Sequence, residues 1–133
     1  GVIHRHFNLS YDSTAGVLSR IFEERPGTSA LVVQNETAVG PLLGLLRQQG
    51  RAVPEDVSVV GYDDSAFMSA VEPPLTTVRQ PIEAMGRAAV AALMAQIRGE
   101  ELPPGELLFE PELVVRKSTR PANDSQVLAR TES

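Results

Sequence analysis

The chain has 133 residues, 42% of them hydrophobic and 22% charged, which suits one packed domain and is too short for two ordinary ones. Lys and Arg number 12 against 17 Asp and Glu, a net charge of −5, so nothing in the composition offers a phosphate-neutralising surface and this piece is not expected to bind DNA alone. Cysteine is absent, which removes disulfides, a thiol nucleophile and thiolate metal sites. Every apolar run is broken well short of the roughly 18 residues of a membrane span.

The opening residues Val2 to Phe7 read as a strand rather than as a signal segment, and a chain that starts within a strand and without Met reads as a piece of a longer protein. From Asp12 to Arg25 the apolar positions Val17, Leu18, Ile21 and Phe22 recur at helical spacing, until Pro26-Gly27 stops the helix. Ser29 to Val33 is a continuous apolar run of the kind buried on both faces of a parallel sheet. Asn35 then opens a helix carrying Val39, Leu42, Leu43 and Leu46, which Gly50 closes and in which Pro41 is expected to kink or shorten the first turns.

Val53 to Asp56 reads as a turn into the strand Val57 to Gly61, after which Tyr62 to Ser65 leaves the sheet. Leu75 to Arg79 reads as a fourth strand. The helix after Pro81 carries Ile82, Met85, Ala89, Leu93 and Ile97 as an apolar stripe, expected in the core, and ends at Gly99. Leu107 to Phe109 and Leu113 to Val115 flank Pro111 and read as edge-strand pieces. The polar stretch 118–133 is expected to be a mobile tail, which leaves residues 1–117 as the folded unit. Strand and helix patterns alternate throughout, so the expected class is α/β, a parallel sheet flanked by helices.

Ligands of open parallel sheets collect outside the carboxyl ends of the strands. Those ends hold Tyr11, Asn35, Asp63 with Asp64, and Gln80. An aromatic face, two amides and a carboxylate suit a sugar or another polyhydroxylated or heterocyclic ligand. Each residue also has a plain structural use: Asn35 as a helix cap, Asp63 or Asp64 as a turn residue, Tyr11 packed on its own helix, Gln80 as linker. His4 and His6 share one face of a strand, but no third ligand completes a metal set, and no metal is expected. No nucleophile elbow, phosphate loop or dinucleotide fingerprint occurs, so neither an enzyme nor a cofactor is expected. The rival enzymatic reading would use Asp63 and Asp64 as acid and base, for which the sequence displays no catalytic partner.

Asn35-Glu36-Thr37-Ala38-Val39-Gly40, then Val53-Pro54-Glu55-Asp56-Val57-Ser58-Val59-Val60-Gly61-Tyr62-Asp63-Asp64, then Pro73-Pro74-Leu75-Thr76-Thr77-Val78-Arg79-Gln80-Pro81 and Leu113-Val114-Val115-Arg116-Lys117-Ser118-Thr119 occur in this order. Together they resemble the lactose-repressor (LacI/GalR) family of transcription regulators over about residues 1–120. The resemblance implies a fold like the type I periplasmic binding proteins, two α/β subdomains with the effector between them, of which this chain is most of the C-terminal one. It also implies a small-molecule effector, with a sugar as the class expected and with Tyr11, Asn35, Asp63 and Gln80 at effector-contacting positions. It further implies a cytoplasmic homodimer, with part of the dimer contact in residues 65–73, and operator DNA read by a helix-turn-helix upstream of this chain. A periplasmic or transporter-associated sugar-binding protein of the same fold is the alternative.

Overall fold

The computed structural model describes residues 11–122. Among them the elements run α1 (Tyr11–Glu24), β1 (Ala30–Val33), α2 (Glu36–Gln48), β2 (Ser58–Tyr62), α3 (Ala66–Ala70), β3 (Thr76–Arg79), α4 (Ile82–Ile97) and β4 (Glu112–Val114). The expected first strand and the His4 and His6 pair lie outside the described residues. The sheet order is β1-β2-β3-β4. Ala30 pairs with Ser58 and Val60 with Thr76 in parallel, and Thr77 pairs with Val114 antiparallel. The parallel expectation therefore holds for β1 to β3, with an antiparallel edge strand entered just after Pro111. Residues 107–109 form no strand.

Alternation along the strands sends one set of side chains into the core. Val33, Val57 and Val59 are buried together with Leu18 and Phe22 of α1 and with Val39, Leu42, Leu43 and Leu46 of α2. On the opposite face, along the row Val32–Val60–Thr76, exposure falls from β1 to a buried Thr76 in β3. Val32 is 77% exposed, so β1 is not buried on both faces as its unbroken apolar run suggested. The reason is that α1 and α2 contribute to the same core as Val33 and cover only that side.

Helix α2 is uninterrupted despite Pro41 inside it. The missing N–H of Pro41 removes one helical bond near the N-terminus, and burial of Ala38, Val39, Leu42, Leu43, Leu45 and Leu46 outweighs that loss. At its other end Gly50 adopts φ +70, with Gly50 N–H bonded to Arg47 C=O at 3.1 Å and Arg51 N–H to Leu46 C=O at 2.9 Å. This closure returns the chain toward β2, and the Arg51 guanidinium lies 3.6 Å from the centroid of the Phe22 ring.

Two further expectations are corrected. Helix α4 has the expected bounds, but none of its residues is buried, and Ile82, Val90, Leu93 and Ile97 are all more than half exposed. Its apolar stripe is thus not part of the core formed by α1, α2 and the sheet. Ser118, expected in the tail, is wholly buried. Its hydroxyl accepts from Thr76 N–H at 2.8 Å and donates to Val59 C=O, while its carbonyl accepts from Val59 N–H at 2.9 Å. Ser118 thereby bridges Val59 of β2 and Thr76, the first residue of β3. Leaving such a buried backbone group unpaired costs about 1–3 kcal/mol. Arg120 continues the anchorage, its backbone N–H to Ser58 Oγ at 3.2 Å and its Nε to Pro54 C=O at 3.0 Å. Residues 123–133 lie outside the described residues.

Candidate functional site

Because β1, β2 and β3 are parallel, the residues that follow them leave the sheet on one edge. Asn35, Asp63 and Gln80 are the polar residues in question, two, one and one positions beyond the three strands. Tyr11 is the first residue of α1, and the stacking expected of its ring lies outside the described residues.

Asn35 is the N-cap of α2, with extended backbone at φ −116 and ψ 125. Its Oδ1 accepts from Thr37 N–H at 3.0 Å and from Thr37 Oγ1 at 2.8 Å. The capping use is therefore realised, and it occupies the oxygen alone. The side-chain amide nitrogen, in an exposed residue, remains able to donate outward.

Asp63 ends β2 in the left-handed region, φ +66, and no other non-glycine residue among those described has positive φ. Such a conformation costs about 1–3 kcal/mol and persists where surrounding contacts enforce it. Asp63 N–H donates to Val78 C=O at 3.0 Å, and Asp63 Oδ1 accepts from Gln80 Nε2 at 2.6 Å. The structure thus brings Asp63 and Gln80 into direct contact, whereas Asn35 makes no bond to either. Asp63 is exposed and Gln80 half-buried, so the pair faces the open edge.

Asp64 points the other way. Its side chain is only 7% exposed. Oδ1 accepts from Thr77 Oγ1 at 2.8 Å and pairs with Arg116 Nη2 at 2.7 Å; Oδ2 accepts from Arg79 Nε at 2.9 Å and Nη2 at 2.7 Å. Arg116 also donates to Leu75 C=O at 2.7 Å, and Arg79 reaches Glu112 at 3.4 Å. Burial pushes the Asp64 carboxyl up, but the hydrogen bonds from Arg79, Thr77 and Arg116 and the charge of Arg116 outweigh it and hold the group at about 2. Hydrogen bonding to Asp64 in turn raises Arg79 above its ordinary value.

A turn-only role for Asp64 is therefore corrected: it ties β2, β3 and the segment after β4 together. Arg79, Thr77, Arg116 and Glu112 were not singled out from the sequence as site residues. The available signal was that Arg79 and Arg116 sit in two of the motif blocks that carry the family resemblance. Gly61 completes the neighbourhood, since a Cβ there would come within 2.8 Å of Leu75 Cδ2 and 3.3 Å of Met68 Cε, so β2 and α3 pack closely beneath the acidic pair. Among the described residues no group of three or more His, Cys, Asp or Glu is placed to hold a metal ion, and no helix is long and apolar enough to cross a membrane.

Comparison with known proteins agrees with this architecture. The periplasmic binding protein-like domain family matches residues 4–119. The HTH-type transcriptional regulator MalR of Streptomyces coelicolor is 48% identical over 98 residues, covering 74% of this chain and 28% of that protein. The HTH-type transcriptional regulator CelR of Thermobifida fusca is 40% identical over 111 residues, covering 84% of this chain and 33% of that protein. Among solved structures, a complex of the transcriptional regulator CelR with cellobiose matches with a TM-score of 0.73 at 39% identity, over 84% of this chain and 34% of that one. A LacI family regulator from Bifidobacterium animalis subsp. lactis matches with a TM-score of 0.79 at 28% identity, over 90% and 44%. The chain spans about a third or less of the length of the two curated relatives. With its own model matched over most of the chain and regulators of one kind on both sides of the comparison, the chain belongs to the periplasmic binding protein-like domain family, in the form carried by LacI-type transcription regulators.

Proposed function

We propose that this chain is the effector-sensing portion of a LacI-type DNA-binding transcription regulator, a repressor, and that it binds a sugar or similar polyhydroxylated ligand at the edge carrying Asn35, Asp63 and Gln80. The observation that carries the proposal is Asp63, an exposed carboxylate in a left-handed conformation at the end of β2, 2.6 Å from the Gln80 amide. A carboxylate accepts from two hydroxyls at once, and the outward amides of Gln80 and Asn35 donate to ring or hydroxyl oxygens. The cellobiose in the CelR structure supports a disaccharide as the first probe.

The action requires no covalent chemistry. A ligand that binds one arrangement of the protein better than another shifts their populations and so changes operator affinity at a distance. Operator contact belongs to a helix-turn-helix outside this acidic chain, and the working unit is a cytoplasmic homodimer with residues 65–73 in the contact. An acid-base pair of carboxylates is disfavoured because Asp64 is engaged by Arg79 and Arg116, which leaves Asp63 as a single outward carboxylate. That the relatives are named as transcription regulators favours this reading over a transport protein of the same fold.

The test is calorimetric titration of the full-length protein with cellobiose and a panel of other disaccharides, beside operator titrations. Charge-assisted hydrogen bonds are worth about 1.5–3 kcal/mol each, so Asp63→Ala is expected to weaken effector affinity at least about tenfold. Operator affinity without effector is expected to stay nearly unchanged. Undiminished effector affinity in the Asp63→Ala protein refutes the site.

A further inference from the structure

Adjacent carboxylates at the end of β2 meet opposite surroundings, and the chain order across to β3 explains how. The parallel register sets Tyr62 beside Val78, so straight continuation would place Asp63 beside Arg79 and Asp64 beside Gln80. The observed partners are exchanged: Asp63 meets Gln80 and Asp64 meets Arg79 and Thr77. The left-handed turn at Asp63 produces this exchange, since it folds the next residue back over the sheet end.

We propose that Asp64 is a positioning residue for Asp63: its ion pairs with Arg79 and Arg116 hold Asp63 in the left-handed conformation and set its carboxylate against the Gln80 amide. Both members of the 2.6 Å contact are chain neighbours of an ion-paired residue, Asp63 of Asp64 and Gln80 of Arg79. The anchor is itself held, because Arg116 is bonded to Leu75 C=O and Arg79 to Glu112. On the other side of Asp63 the chain is pinned by its N–H to Val78 C=O. With both flanks fixed, the one carboxylate turned outward has its direction set before any ligand arrives, which lowers the ordering cost of binding. The lowered cost of binding rests on the function proposed above; the positioning of Asp63 does not.

The experiment reads the Gln80 side-chain amide by proton–nitrogen NMR in the intact protein, its signals assigned by their loss in Gln80→Leu. A short bond to a carboxylate displaces the bonded amide proton downfield, and Asp63→Ala provides the unbonded reference position. Asp64→Asn keeps the shape and removes the charge. In that variant, shown folded by its dispersed backbone amides, the displaced Gln80 signal is expected to move to the reference position. A Gln80 signal unchanged in folded Asp64→Asn overturns the proposal, whatever happens to thermal stability. Should Asp64→Asn not fold, Arg116→Lys keeps the Arg79 pair and is expected to move the Gln80 signal part of the way, and an unmoved signal again overturns the proposal. Cellobiose titration of the same proteins forms a separate arm: if no disaccharide binds the unaltered protein, the functional reading fails while the Gln80 signal still decides the positioning.

Discussion

Asp63 and Asp64 differ in role because one left-handed residue turns the first toward solvent and the second onto two arginines from distant parts of the chain. Composition at this point is simply two acids after a strand, which is why turn chemistry was a fair reading of either. What separates them is the approach of Arg79 and Arg116, and no local pattern encodes that approach. A pH dependence follows. Asp64 has a folded value of about 2 against an ordinary 3.8, so its contribution to stability is fully present above the ordinary value and is lost as pH falls through the folded one. Denaturant unfolding between pH 5 and pH 2 is expected to show a loss about 1–2 kcal/mol larger in the unaltered protein than in Asp64→Asn, a figure reduced from the full shift because Arg79 is half exposed to screening solvent. Parallel curves for the two proteins would exclude this coupling.

Helix α2 illustrates an element whose start serves two purposes. Asn35 caps it through Oδ1 while its amide nitrogen faces outward, so the capping and binding readings weighed from the sequence are compatible. Substitutions divide them. Asn35→Ser retains an oxygen for the Thr37 N–H and is expected to melt close to the unaltered protein, while Asn35→Ala is expected to lose about 1 kcal/mol. Both remove the amide donor, and both are expected to weaken effector affinity, less severely than Asp63→Ala. Equal melting of the Ser and Ala variants would show the cap to be idle; undiminished affinity in both would remove Asn35 from the site. Bounds of α1, α2, α4 and the three parallel strands were legible to within a residue or two, because Gly, Pro and Asn punctuate hydrophobic runs of clear period. Pro41 misled, because its local cost is small beside the burial of the α2 face. Five-residue α3 carries no period long enough to read.

Over the whole chain, Ile82, Val90, Leu93 and Ile97 of α4 and Leu107, Leu108, Leu113 and Val115 beyond it are more than half exposed. Apolar surface on this scale is unusual for a free monomer. The isolated 133-residue chain is therefore expected to self-associate, and sedimentation velocity giving a clean monomer at high micromolar concentration would contradict that. Hydrophobic period, turn residues and the order of the motif blocks were enough to establish an α/β chain of this family with Asn35, Asp63 and Gln80 at strand ends, since each of these features is local. The burial of Ser118 between β2 and β3, the inward turn of Asp64 and the bare face of α4 were settled by the fold alone. A period states that a side chain prefers to be covered and a charge that it prefers a partner, but which segment supplies the cover or the partner depends on contacts between residues tens of positions apart.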